Sequence, residues 1–232
     1  MRRKLRSALR RIRGKTDQNE RHDRFVQALK GHYRCETVID VGVGHGTPWL
    51  YASFPDAFHV LVEPVIEFQP DIQAILSQHR GQHVTVAAGP REESLTMNVE
   101  PRRRTRSSFL ARTELTRTGD ELEQREIDRR PLDALSREHG WAAPFGLKVD
   151  VEGDELGVLK GAEQVLAESA FVIVEASLAD RFHGGAGLGE LSSFMHRQGF
   201  MLSDLLHVAY TREQPRRPQR ADLLFVPTPD EA

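Results

Sequence analysis

The sequence predicts an α/β fold built around a mostly parallel sheet, and three observations carry that expectation. From Thr37 onward, short β-branched or apolar runs alternate with helix-length segments, as in consecutive βαβ units. The first run leads into a glycine-rich turn, Gly42-Val43-Gly44-His45-Gly46. The second run ends on an acid, Glu63.

Taken in order, Thr37–Val41 reads as the first strand and Gly46–Phe54 as a helix. His59–Val62 is the second strand, with a helix over Val65–His79, and Val84–Ala88 is the third. Phe145–Val151 makes the fourth strand, followed by a helix over Asp154–Glu168. Phe171–Ala176 makes the fifth, followed by a helix over Leu188–Gln198. Runs near Phe200–Tyr210 and Ala221–Val226 flank a Pro/Arg-rich turn, Gln214–Arg220, and read as a closing hairpin. Residues 89–144 break the rhythm. There, Ser94–Val99 and Glu126–Arg130 read as strands around a charged loop, Arg102–Arg106, a place where substrate selection is commonly built.

The 232 residues suit one domain with decorations, expected over 36–232 with the 89–144 insertion inside it, preceded by a basic helical arm over 1–35. At 39% hydrophobic and 28% charged, the chain has ordinary globular composition, and wholesale disorder is not expected. The formal net charge of -2 gives no global reason to expect nucleic acid or an anionic membrane as partner. The charge is uneven, however. Arg2 to Lys15 hold eight Lys/Arg and no acid, with Leu5, Leu9 and Ile12 spaced as a thin apolar stripe. A packing or dimerisation arm, a weak membrane-surface contact through residues 1–15 and a frayed tail all fit that stripe, and a homo-oligomer is compatible with the first. The single Cys35 excludes an internal disulfide framework, and no apolar run reaches the roughly 18 residues of a membrane span. The basic start has no apolar segment after it, so no secretory signal is read, and the expected compartment is cytoplasmic.

The glycine turn is a backbone device. Glycines permit a tight turn and a close ligand, and the following helix start adds a positive dipole end. Its G-x-G-x-G spacing differs from the dinucleotide fingerprint. Glu63, 23 residues after Asp40, lies where an acid in a doubly wound sheet accepts both ribose hydroxyls. Together these features point to a nucleoside-bearing ligand without naming it.

A longer signature follows: Leu147-Lys148-Val149-Asp150-Val151-Glu152-Gly153-Asp154-Glu155, continued by Leu156, Leu159 and Gly161-Ala162. With the Val38–Gly46 start, Val62-Glu63-Pro64, Pro131-Leu132-Asp133 and Val172–Glu175, it resembles the FkbM family of methyltransferases over roughly Thr37 to Val226. The resemblance implies the class I methyltransferase, Rossmann-like sheet: seven strands, mostly parallel, with an antiparallel last hairpin and a β-containing insertion between strands 3 and 4. It implies S-adenosylmethionine as cofactor, with Asp40, Gly42 and Gly44 around its methionine part and Glu63 on its ribose. His45 joins this set by its position in the turn. Ser107-Ser108 matches a serine of the family's insertion, so Ser108 is expected at the pocket. Asp222 recurs in the family's C-terminal pattern, in a structural role. The sequence departs from the family at Val43-Gly44, where an Ala-Asn pair is usual, and at His45-Gly46-Thr47-Pro48.

Methyl transfer from a sulfonium is an in-line displacement, so the protein aligns the acceptor and removes its proton. Candidates sit at the carboxyl ends of the strands. Asp150 and Glu175 end neighbouring strands, roughly 4.8 Å apart, so their carboxylates are expected to converge as a base or around Mg²⁺, or else to cap the helix near Asp154 or pair with Lys148 and arginines. Glu152 is expected on Asp150's side if the strand stays extended. His183, in the glycine-rich loop after the fifth strand, is a further candidate base. Charged Arg102–Arg106 reads as a solvated face or as a holder of an acidic sugar or phosphate.

The expected activity is O-methylation of a small hydroxylated acceptor, such as a sugar, a glycan or a secondary metabolite, the class that the resemblance implies. N-methylation on the same fold and a non-catalytic nucleoside-binding module are the alternatives. A nucleic-acid methyltransferase would show N/D-P-P-Y/F after the fourth strand; Val151-Glu152-Gly153-Asp154 stands there instead, so nucleic acid is not an expected partner.

Overall fold

The computed structural model describes residues 23–117, 119–211 and 215–229. The basic stretch 1–15, its apolar stripe and Gln214 of the expected closing turn lie outside them. A helix over 23–29 leads in and buries Phe25 and Leu29 completely.

In chain order the strands are β1 (Thr37–Val41), β2 (Phe58–Val62), β3 (Gly81–Val84), β4 (Ala87–Ala88), β5 (Glu93–Val99), β6 (Glu123–Arg130), β7 (Phe145–Val149), β8 (Ser169–Ser177), β9 (Phe200–Tyr210) and β10 (Pro218–Pro227). Seven of them form the main sheet, in the spatial order β3-β2-β1-β7-β8-β10-β9. All neighbours are parallel through β8; β10 is antiparallel to both β8 and β9, as the closing hairpin required. A second sheet, β4-β6-β5, consists largely of the insertion.

Helices are α1 (Pro48–Ser53), α2 (Gln69–Leu76), α3 (Leu132–His139), α4 (Glu155–Lys160), α5 (Glu163–Ala167) and α6 (Leu188–Arg197). Period-two alternation along the strands fills both faces of the sheet. Ile39, Val41, Leu147, Val149, Val172 and Val174 pack with Leu135, Leu159, Val165 and Phe194. Val38, Leu61, Phe171 and Ile173 pack on the opposite face with Phe25, Leu50, Tyr51 and Ile72.

Register aligns the chemistry. Val41 pairs with Val62 and Val149, and Val149 with Val174. The next residue on each strand, Gly42, Glu63, Asp150 and Glu175, therefore comes one step beyond a common row.

Several expected boundaries move for local reasons. The third strand ends at Val84, and Ala87–Ala88 leaves to pair with Arg129 and Arg130 of β6. The helix expected over Asp154–Glu168 is two helices broken at Gly161-Ala162, because α4 ends against another chain segment. A Cβ on Gly161 would lie 2.0 Å from the Gly89 carbonyl oxygen. The fourth strand stops at Val149, since Glu152 adopts φ 56 and Gly153 φ 115. The sequence reading has no counterpart to α3, although Pro131 before it and left-handed Gly140 after it are standard boundary signals.

Candidate active site

The carboxyl ends of β1, β2 and β7 open into a cavity of about 1010 Å³, walled on its outer side by the insertion and by β10. Its floor is the glycine turn. Gly42 has φ 78, and a Cβ there would fall 1.9 Å from the Asp150 carbonyl oxygen, so only glycine fits. Gly44 has φ 53; its N–H donates to Glu63 Oε2 at 2.9 Å, and Val65 N–H donates to Oε1 at 2.9 Å. Glu63 lines the cavity, and burial pushes its carboxyl up to about 7. A carboxylate has about four acceptor positions, so these two bonds leave acceptor capacity for a ligand. His45 also lines the cavity, mostly exposed, 2.9 Å from Asp71 and edge-on to Phe68.

Asp150 follows β7 and lines the cavity with its side chain 32% exposed. Its enclosed setting raises its pKa against the pull of Lys148, 3.6 Å away, with Glu152 and Asp222 adding to the rise. Lys148 sits under it, 3.1 Å from Asp40. Burial opposes the ammonium charge, yet Asp40 and Asp150 hold its pKa above the usual lysine range.

The carboxylates beyond Asp150 belong to an arginine chain. Arg106 meets Glu100 at 3.2 Å, and Glu100 meets Arg112 at 3.5 Å. Arg112 meets Glu152 at 3.0 Å, Glu152 meets Arg181 at 2.6 Å, Arg181 meets Glu175 at 2.9 Å, and Glu175 ends on Arg220. Arg112 and Arg181 also lie over the Phe182 ring, at 4.6 and 5.0 Å. This chain fastens the insertion to β8 and β10 across the outer wall.

Gly42, Gly44, His45, Glu63 and Asp150 thus come together around one cavity. Other expectations drawn from the sequence need correction. Asp40 is not among the described lining residues; it shares Val38's face of β1, fully buried, where Tyr51 donates to it at 2.6 Å. Glu175 is likewise off the cavity surface, with its oxygens on Arg181 and Arg220. With both oxygens taken by guanidiniums, Glu175 does not offer a divalent cation a free donor. Among the described residues, no group of three or more His, Cys, Asp or Glu is arranged to hold a metal. Glu152 turns at φ 56, so the extension does not persist, yet it lines the same cavity as Asp150, its carboxylate held by Arg112 and Arg181. His183 is exposed outside the lining, its N–H on the Ala111 carbonyl. Ser108 is a pin rather than a wall: its hydroxyl donates to the Glu152 carbonyl at 2.7 Å, while Ser107 lines the cavity.

Sequence reasoning weighed Lys148 as an ion-pair partner of the strand-end acids but did not single out Arg112, Arg181 or Arg220. Lys148 had a signal, being a lone charge inside an otherwise apolar buried strand, which requires a partner. The arginines had none; Glu175, for example, draws its two partners from 6 and 45 positions away in sequence.

The strand order, with one antiparallel strand inserted before the edge, and a glycine-floored cavity beside a strand-end acid define a class I methyltransferase sheet. A family model described as the methyltransferase FkbM domain matches residues 40–202. The chain belongs to the FkbM family of methyltransferases. The FkbM methyltransferase of Methylobacillus flagellatus KT superposes with a TM-score of 0.51 at 18% identity, over 82% of this chain and 43% of that one. This chain therefore spans less than half of that protein's length. A precorrin-6y C5,15-methyltransferase of Geobacter metallireducens GS-15 gives 0.47 at 10% identity, over 90% and 87% of the two chains. The magnesium protoporphyrin IX methyltransferase of Synechocystis PCC 6803, solved with bound S-adenosylmethionine, gives 0.45 at 12%, over 94% and 81%. No curated protein sequence matches the chain. Among the described residues, no helix is long and apolar enough to cross a membrane.

Proposed function

We propose that this protein transfers a methyl group to a hydroxyl of a small acceptor, such as a sugar, a glycan or a secondary metabolite, with Asp150 as the base. The observation that carries the reading is Asp150 itself. It is a carboxylate at a strand end, open to the cavity beside the glycine turn, with its pKa raised by enclosure. An alcohol is too weak an acid to ionise at neutral pH, so its proton must leave as the oxygen attacks, and a raised carboxylate pKa makes a better acceptor.

In this reading the Gly42–Gly46 turn and Glu63 hold S-adenosylmethionine. Two features fit that group: glycine backbone is open to the cavity at the turn, and a buried strand-end carboxylate has acceptor capacity left. When bound, the cofactor supplies an activated methyl group. The protein's own contribution is to orient the acceptor, exclude water and take one proton at Asp150. Lys148 holds the Asp150 carboxylate from below, and the arginine chain keeps the outer wall closed.

The test is incubation with methyl-labelled S-adenosylmethionine and a panel of neutral sugars, uronic acids, polyols and amines, with products identified by mass spectrometry. Label on oxygen supports the proposal. Label only on amine nitrogen contradicts it.

A further inference from the structure

The cavity's cations are not equivalent. Arg106, Arg112, Arg181 and Arg220 are committed to the buried carboxylates of the outer wall, and Lys148 to Asp40. Arg117 sits on Glu114 with both side chains largely in solvent. Arg104 differs. Its acidic neighbour is Glu67, with Nε 3.4 Å from Oε1. That carboxylate already accepts two bonds from Arg125, at 2.8 and 2.7 Å, which hold its carboxyl far below the usual range. Arg125 also meets Glu123 at 2.5 Å, so Arg104 shares Glu67 with a guanidinium that has a second carboxylate of its own. Arg104 Nε is also buried and donates no hydrogen bond among the described residues. A buried donor left unmade costs about 1–3 kcal/mol, so an anion arriving there gains more than it would at a satisfied arginine.

Position says which anion. Thr105 Cγ2 lies 3.4 Å from where a Cβ on Gly44 would be, so the Arg104–Arg106 segment roofs the glycine turn. A ligand whose ribose meets Glu63 and whose chain crosses that turn carries its far end beneath this roof. The donor's far end is an amino acid, and its carboxylate loses part of its water on entering the cavity, a cost that a nearby cation offsets.

We propose that Arg104 binds the amino-acid carboxylate of S-adenosylmethionine, making the insertion part of the cofactor site. The inference rests on the cofactor reading under the proposed function, and goes beyond it by assigning this residue. An acceptor carboxylate or phosphate is the other source of the same chemistry, and the ligands chosen for the test separate the two.

The experiment is calorimetric titration of the full chain with S-adenosylhomocysteine and with methylthioadenosine, which lacks the amino acid. The wild-type protein is expected to bind the former more tightly. Arg104→Gln is expected to weaken S-adenosylhomocysteine by about tenfold or more, the scale of a charge-assisted hydrogen bond, and to leave methylthioadenosine unchanged. Arg104→Lys should recover part of the loss. Arg102→Gln, an exposed neighbour off the cavity, should change neither ligand. Equal weakening of both ligands by Arg104→Gln, or of neither, overturns the proposal. Wild-type protein that binds neither ligand overturns the cofactor reading as well.

Discussion

Asp40 and Lys148 are register partners on β1 and β7, and their side chains meet 3.1 Å apart in a setting where Asp40 is wholly buried. Tyr51 donates to the second Asp40 oxygen, and Lys148 reaches up to Asp150. The pair therefore links the core beneath α1 to the carboxylate that faces the cavity.

Removing one member of a buried pair strands the other charge. Lys148→Met is expected to cost about 3–5 kcal/mol of stability, and Tyr51→Phe about 1.5–3, by urea unfolding. The double variant Asp40→Leu/Lys148→Met should cost less than Lys148→Met alone, because it does not strand the wholly buried Asp40 charge. Additive losses would show that Asp40 and Lys148 act independently.

Asp150→Asn keeps the shape of the residue but cannot take a proton. Its kcat should fall by about 10²–10⁴ while its affinity for S-adenosylhomocysteine changes little. A parallel loss of both would make Asp150 structural.

Methyl transfer is expected to survive excess chelator, because both oxygens of Glu175 are held by Arg181 and Arg220. Loss of turnover with chelator, restored by Mg²⁺, would contradict the geometry.

Glu63 and Glu155 are both pushed up to about 7 by burial. Their folded pKa values exceed the ordinary 4.5, so the folded chain binds protons that the unfolded chain has released. Stability of the ligand-free protein should therefore fall as pH climbs from about 4.5 to about 7, then level off. Denaturant midpoints across that window check the sign. Affinity for S-adenosylhomocysteine should move the other way, rising toward pH 7 as Glu63 ionises to accept its hydrogen bonds.

Most element positions were legible because apolar periodicity survives in the sequence, while the sheet's topology was legible only through the family resemblance. Glu63 and Asp150 were legible because they directly end apolar runs. Asp40 was misplaced: strand alternation puts it on Val38's face, beneath α1, whatever its proximity to the glycines. Glu175 and His183 were misplaced because proximity in the sheet says nothing of partners such as Arg181 and Arg220, which arrive from a loop and from the hairpin. Glu152 reaches Asp150's cavity although the strand ends before it, and its pairing with Arg112 and Arg181 was not legible. Long-range ion pairing leaves no local pattern to read.

Whether the Gly42–Gly46 turn and Glu63 form the cofactor floor is tested most directly by titration calorimetry with S-adenosylhomocysteine at neutral pH. Wild-type protein should bind one equivalent saturably, and Glu63→Gln should weaken that binding by about tenfold or more, through loss of charged acceptor bonds. Unchanged affinity in Glu63→Gln, with the fold intact, would place the cofactor elsewhere and contradict the account.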